Sequence, residues 1–303
     1  MTEPTFVENY PAQFQWLHHP FSDQFETRFL FMSPSVQRSL EVLNYAVSSD
    51  QWVVVTGEAG VGKTTLMRAF GADVVDRSLS VYFFDSHESE RGRLWQWLFS
   101  DDDEKSDELL SELDATNIRQ PLLQRINLCG DCVLIWDHFP TASKTAKSDL
   151  ILLREQTIDI PMFHIFVVPD DVEQGALLYE ELAGFKLPSD DMTSALNRPG
   201  VLRCHVDAMT ADETEQYASF RLAIAGWQRR PDITRGAWQE IYGLSEGRPQ
   251  DIHQHMNKIM QSVAEKKTTL INSQLVHRVL SSEDSSIPVM PDSVPPAIDP
   301  DER

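Results

Sequence analysis

Short apolar runs of strand length alternate with helical or loop sequence over the first two thirds of the chain. Five runs are predicted to be strands: Trp52 to Thr56, Leu79 to Phe84, Cys132 to Asp137, Met162 to Val168 and Val201 to Val206. This alternation is typical of a parallel sheet that is covered by helices on both faces. The pattern therefore predicts an α/β domain over residues 33–207, with a five-stranded parallel sheet sandwiched by helices.

A different pattern precedes this domain. Residues 1–32 form an irregular arm that is rich in aromatic residues. Because these side chains are too apolar to be left in water, we expect the arm to pack against the core of the α/β domain. A helix then begins near Ser33, which is placed to cap it, and Pro34 suits its first turn.

After Asp207 the strand pattern stops. Thr210 and Glu213 form a capping box for a helix, and further helices are predicted near 234–243, 249–264 and 270–280. Residues 208–280 are therefore predicted to form a small all-helical domain. Residues 281–303 contain five prolines and six acidic residues, which cannot build a core, so we expect a disordered acidic tail.

The net charge, the length of the apolar runs and the first twenty residues bear on the partners and the location of the protein. A formal net charge of -21 opposes broad attraction to nucleic-acid phosphates, although a local basic patch remains compatible with it. The apolar runs are far shorter than the roughly 20 residues that span a bilayer. The first twenty residues also lack a basic start followed by an apolar stretch. We therefore expect a cytoplasmic protein with no direct membrane insertion.

The candidate chemistry begins directly after the first predicted strand. The motif G-x-x-x-x-G-K-[ST] is matched at every fixed position by Gly57, Glu58, Ala59, Gly60, Val61, Gly62, Lys63 and Thr64. Such a loop points backbone N–H groups at phosphates, and the next helix adds the positive end of its dipole. We expect this segment, with Thr65, to bind ATP, with Lys63 on the β- and γ-phosphates and Thr64 on Mg²⁺.

A second acidic group near Mg²⁺ is expected at the end of a neighbouring strand, and Asp137 supplies it. Hydrolysis also needs a group that orients or deprotonates water. ATPases of this general design commonly carry a Glu after the Asp, whereas this chain carries His138. Asp137 and His138 are therefore the candidate catalytic residues. The alternative for His138 is a positioning role, or a side chain that bonds only to a loop carbonyl.

Four further residues are candidates with open alternatives. Asp170 follows the fourth strand, where a γ-phosphate sensor is often found, but a plain turn residue also fits. Arg248, between two predicted helices, either faces the nucleotide across the domain junction or is a solvated loop residue. Arg198 and Arg203 lie near the fifth strand, where an arginine could complete a neighbour's site.

On these residues the chain resembles AAA+ ATPases related to the A component of the general secretion pathway, and the similar pilus-biogenesis ATPases. The resemblance is carried by the lead-in from Pro20 to Ser33 with the phosphate loop, by Ala208 to Gly226, and by Leu244 to Pro249. It implies an αβα ATPase core, a helical lid, ATP with Mg²⁺, adenine near the lead-in, and homo-oligomers.

Three departures from the family pattern bear on turnover. His138 replaces the usual Glu, Pro169 and Asp170 replace a glutamine-bearing turn, and Gln250 replaces the arginine after the lid proline. The first hypothesis is an ATP-binding switch with slow turnover that assists assembly of a larger envelope, secretion or pilus-type machine of protein partners. The alternatives are an ATP-dependent, DNA-associated transposition regulator, which the acidity disfavours, and a scaffold that binds ATP without cleaving it.

Overall fold

A computed structural model describes residues 10–22, 30–75, 79–85, 119–157, 160, 163–169, 171–184 and 200–281. The elements of the first part are α1 (Tyr10–Gln13), α2 (Pro34–Ser48), β1 (Trp52–Thr56), α3 (Lys63–Val75), β2 (Ser80–Asp85), α4 (Arg119–Cys129), β3 (Cys132–Phe139), α5 (Lys144–Thr157), β4 (Phe163–Pro169), α6 (Val172–Ala183) and β5 (Val201–His205). The second part contains α7 (Ala211–Ala225), β6 (Asp232–Ile233), α8 (Arg235–Ser245), α9 (Pro249–Lys266), β7 (Leu270–Ile271) and α10 (Ser273–Ser281).

The five predicted strands form one parallel sheet in the order β2-β3-β4-β1-β5. All five residues of β1 are buried, because this strand lies inside the sheet and both of its faces are covered. Two apolar clusters fill the two faces, one around Trp136 and Ile165 and the other around Phe70 and Phe166. The predicted α/β fold is confirmed.

Strand β3 extends past the predicted end at Asp137 and continues to Phe139. Its pairing with β4 is irregular between Trp136 and Phe139, and His138 has a φ of 50°. A non-glycine residue with positive φ is uncommon and re-aims its side chain relative to the pleat. The irregularity therefore gives His138 a direction that the strand pattern does not predict.

After Asp207 the chain continues through the four helices α7 to α10, and we refer to residues 208–280 as the lid. Thr210 and Glu213 make the predicted capping box at the start of α7. The lid also contains the short parallel pair β6 and β7, in which Asp232 N–H donates to Thr269 O at 2.8 Å. Strands of two residues are too short for hydrophobic periodicity to predict.

No described helix is both long and apolar enough to cross a membrane.

The described arm residues pack on the lid, so the expectation that the arm packs on the α/β domain is corrected. Tyr10, Trp16 and Phe21 share one buried cluster with the lid helices. Tyr10 Oη donates to Asn257 Oδ1 at 2.7 Å, and the buried Arg221 donates from Nη2 to Ser22 O at 3.0 Å. The lid offers these rings both apolar surface and polar partners, which periodicity cannot reveal. The expected tail, apart from Ser281, lies outside the described residues.

Candidate nucleotide-binding site

The phosphate loop, residues 57–64, joins the carboxyl end of β1 to the first turn of α3. Two of its glycines have left-handed backbone angles, Gly60 with φ 79° and Gly62 with φ 99°. Residues with a Cβ are strained at these backbone angles. The two glycines therefore allow the loop backbone to curl. Leu66 N–H donates to Gly62 O at 2.9 Å, which attaches the loop to the helix.

Lys63 points back over the loop. Its Nζ donates to Gly57 O at 2.8 Å and to Glu58 O at 3.1 Å, and the residue is only 9% exposed. A buried ammonium group needs such partners, because desolvation without them is costly. The structure therefore holds the lysine charge at the centre of the loop.

The phosphate loop is closely packed at Gly57 and open at Gly62. A Cβ at Gly57 would lie 2.7 Å from Val206 O, so glycine is required where the loop passes the end of β5. A Cβ at Gly62 would meet nothing within 4 Å. Thr64 is half-buried and Thr65 is exposed at the start of α3. The loop is therefore packed on one side and open over Gly62, which suits a ligand that approaches the backbone.

Asp137 and His138 lie at the end of β3, and Asp85 lies beside them at the end of β2. Asp137 is buried, and its Oδ1 accepts from the His138 backbone N–H at 3.1 Å. His138 Nδ1 lies 3.2 Å from Asp85 Oδ1 and 3.9 Å from Asp137 Oδ2. The site thus brings one imidazole and two carboxylates to the same edge of the sheet.

Sequence reasoning missed Asp85. The strand prediction stopped at Phe84, one residue earlier, whereas β2 pairs Asp85 directly with Asp137. An acidic residue that follows an apolar strand was available as a signal, since parallel strands end at a common edge. Its partnership with His138 required the register, which the sequence does not contain.

The lid touches the loop at Gly60. Gln250 N–H donates to Gly60 O at 3.2 Å, and a Cβ at Gly60 would lie 3.0 Å from both Cβ and Oε1 of Gln250. Gln250 is the residue that stands where the family resemblance implies an arginine. In this structure it places the first turn of α9 directly on the phosphate loop.

Arg248 immediately precedes α9, and its guanidinium group lies near three carboxylates. It bonds to Asp251 through Nε and to Glu246 through Nη1 at 3.0 Å, and Nη1 lies 3.8 Å from Oε2 of the loop residue Glu58. The hydrogen bond to Asp251 raises the pKa of Arg248 above its ordinary value. Arg248 is therefore part of the loop–lid junction, with most of its hydrogen bonding directed at its own segment.

Gly247 fixes the entry to this segment. Its φ is 74°, and an added Cβ would overlap Met209 O, while Met209 N–H donates to Gly247 O at 3.0 Å. The close approach of these two backbones requires glycine. The segment that leads into α7 and the segment before α9, both in the lid, are thereby held together.

The remaining candidates are less informative. Asp170 and Arg198 lie outside the described residues, so their predicted roles stay predictions. Arg203 is exposed on the edge strand β5. The described residues include no cluster of three or more His, Cys, Asp or Glu that could hold a metal alone.

Residues 46–173 match the family described as AAA domain. No curated protein sequence matches the chain. Among solved structures, the Aeropyrum pernix ORC2 protein, in ADPNP–ADP complexes, is 15% identical with a TM-score of 0.55, over 87% of this chain and 71% of that one. The Aeropyrum pernix ORC1 protein, in complex with DNA, is 9% identical with a TM-score of 0.57, over 84% and 66%.

Domain III of the Thermotoga maritima replication initiation protein DnaA is 14% identical with a TM-score of 0.52, over 87% of this chain and 98% of that one. Identities this low establish the fold and no more. The fold is the P-loop AAA+ fold. The finer resemblance to secretion and pilus ATPases remains a proposal.

Proposed function

We propose that this protein is an ATP-binding AAA+ switch with slow turnover, in which the lid responds to the phosphate loop. One observation carries the proposal: the loop is complete and touches the lid, while the position after Asp137 carries a histidine paired with Asp85. The binding half of the site thus agrees with the motif, and the hydrolytic half departs from it.

The residues present fit ATP and Mg²⁺. Gly62 borders open space, Lys63 offers a positive charge at the loop, and the hydroxyl of Thr64 and the carboxylate of Asp137 are the oxygen donors that Mg²⁺ prefers. Lys63 would exchange its bonds to loop carbonyls for bonds to phosphate oxygens. Bound Mg²⁺ supplies charge neutralisation between the β- and γ-phosphates.

His138 is the proposed reason for slow turnover. When Nδ1–H donates to Asp85, the ring keeps only Nε2 as an acceptor for a water proton. A glutamate at this position would offer two acceptor oxygens and a negative charge. The Asp85–His138 pair orients the imidazole, but its reach differs from that of a carboxylate, so we propose binding without brisk cleavage.

Nucleotide binding would affect the position of the lid through three contacts. Gln250 N–H bonds to Gly60 O, its side chain covers Gly60, and Arg248 approaches Glu58. Phosphates bound in the loop would change the charge beside Glu58 and the geometry at Gly60. Since a ligand shifts an equilibrium only through differential contacts, these residues are the ones that could bias the lid.

Calorimetry of ATP binding, paired with phosphate release, tests the proposal on the wild type, His138→Glu and His138→Ala. We expect all three proteins to bind ATP with similar affinity, and His138→Glu to raise the hydrolysis rate at least tenfold. General acid–base groups typically contribute about 10²–10⁴-fold, which leaves that gain measurable. Brisk wild-type hydrolysis that His138→Ala abolishes would contradict slow turnover, and complete absence of hydrolysis would favour the scaffold alternative.

We also propose that the switch assembles into homo-oligomers and works with protein partners of a larger machine. The support is the resemblance of the lead-in, loop and lid segments to secretion and pilus ATPases. Light scattering of the full chain with and without ATP tests the first part. A monomer under both conditions at micromolar concentration would count against it.

A further inference from the structure

The lid differs in charge from the rest of the chain. Residues 208–280 contain nine Lys and Arg and eight Asp and Glu, a net charge of +1, whereas the whole chain carries -21. Residues 1–207 alone carry -17. Any polyanion that approaches this protein is therefore repelled less by the lid than by the α/β domain.

Four cations of the lid lie in the two segments that lead into β6 and β7. Arg229 and Arg230 precede β6, and Lys266 and Lys267 precede β7. The two strands are parallel, with Asp232 paired to Leu270, so the two segments that lead into them approach the same end of the strand pair. We name these four residues the lid basic patch.

The backbone fixes the positions of the lid basic patch. Lys267 ends α9 in a left-handed conformation with φ 51°, and its N–H donates to Ala264 O at 3.3 Å. Arg229 is also left-handed, with φ 60°. Trp227 Nε1 donates to Pro231 O at 3.1 Å, which holds the turn before β6. The four residues thus extend from a defined surface and not from a free terminus.

The charge of this patch is not neutralised within the described structure. All four residues are exposed, and none forms an ion pair with a carboxylate of the described residues. Lys266 Nζ donates to Ser262 Oγ at 3.0 Å. Two carboxylates adjoin the patch in sequence, Asp232 and Glu265, and Glu265 Oε1 accepts from Gln261 Nε2 at 2.7 Å.

We propose that the lid basic patch binds the phosphate backbone of nucleic acid. Double-stranded DNA carries one negative charge per roughly 1.7 Å of axis, so it can present several phosphates to four cations at one end of a strand pair. Arginine matches phosphate bidentately. Exposed Gln228 and Thr269 beside the patch add neutral groups of the kind that bond phosphate oxygens. An acidic polypeptide offers fewer charges per unit length, and it is the outcome to be excluded.

The proposed contact is confined to the lid. The α/β domain, residues 33–207, contains 15 Lys and Arg and 29 Asp and Glu, and this net charge of -14 repels a duplex laid across it. The affinity is therefore expected to be modest and strongly salt-dependent. This surface is separate from the phosphate loop, so the inference goes beyond the proposed switch. Lys63→Ala is accordingly expected to leave binding by the patch in place.

Fluorescence anisotropy of the full chain with a labelled mixed-sequence duplex, at salt from about 50 to 200 mM, tests the inference. Four phosphate contacts predict a slope of log affinity against log salt of about -3.6, which is roughly a 150-fold loss over that range. Arg229→Gln with Arg230→Gln, and separately Lys266→Gln with Lys267→Gln, should each reduce the slope by about 1.8.

The matched control is Arg68→Gln with Arg278→Gln, which also removes two exposed cations but lies outside the patch. We expect this control to keep the wild-type slope. An unchanged slope in both patch variants overturns the proposal. Equal affinity for poly-glutamate at the same salt also overturns it, because the surface would then select acidic polypeptide and not phosphate.

Discussion

The phosphate loop and the ends of β2 and β3 belong to one site but differ in how closely they follow their motif. In the loop, each requirement of the motif is present, and the glycines occupy backbone angles or close approaches that need glycine. At the strand ends, Asp137 is present, but His138 and Asp85 form a pair that the motif does not contain. In the proposed switch, ATP binding and ATP cleavage therefore depend on different residues.

In the proposed switch, an intact phosphate loop is combined with slow hydrolysis. Lys63 belongs to the loop, and its Nζ donates to two of the loop's own carbonyls. His138 depends on a neighbouring strand for its position. Variants that affect one region and spare the other test whether this separation is real.

Lys63→Ala is expected to have the largest effect. Losing charge-assisted bonds to phosphate should weaken ATP binding by about 3 kcal/mol, or roughly 150-fold. Arg68→Ala, on the exposed side of the same helix, is the matched control and should bind ATP as the wild type does. Titration calorimetry measures both variants. Wild-type affinity in Lys63→Ala would break the comparison, because the loop would then not be the binding element.

Gly60→Ala should have an intermediate effect. A left-handed non-glycine residue costs roughly 1–2 kcal/mol, and its Cβ would press on Gln250, so ATP affinity should fall about tenfold. Gly130→Ala has the same backbone cost, with φ 72° and nothing within 4 Å of the added Cβ. It should lower the free energy of unfolding by a similar amount without a change in ATP affinity. Equal affinities in the two variants would show that the loop geometry is unimportant.

Asp137→Asn should have the smallest effect on ATP affinity, and that effect should be confined to the part that depends on Mg²⁺. The amide keeps an oxygen for the His138 N–H but removes the charge that Mg²⁺ prefers, so the gain in ATP affinity on adding Mg²⁺ should fall about fivefold. Asp85→Asn is the control and should keep that gain. Calorimetry in Mg²⁺ and in EDTA separates them. If Asp85→Asn alone loses the Mg²⁺ dependence, the roles of the two carboxylates are reversed.

Much of the fold could be predicted because its signals are local. The strand pattern, the cap at Ser33 and the capping box of Thr210 depend on residues a few positions apart, and each is present in the structure. The arm was assigned to the wrong surface because apolar character predicts burial but not the partner. Arg221 and Asn257, which bond to the arm backbone, are 199 and 236 residues away from their partners in the chain.

The sequence by itself determined the parallel sheet, the phosphate loop and the absence of a glutamate after Asp137, since each depends on residue identity and short spacing. Only the tertiary structure decided that Asp85 partners His138, that Gln250 covers Gly60, and that the segments carrying four lid cations lead to the same end of the β6–β7 pair. These relations join residues distant in the chain through strand register and domain packing. Long-range geometry of this kind arises only when the whole core is assembled.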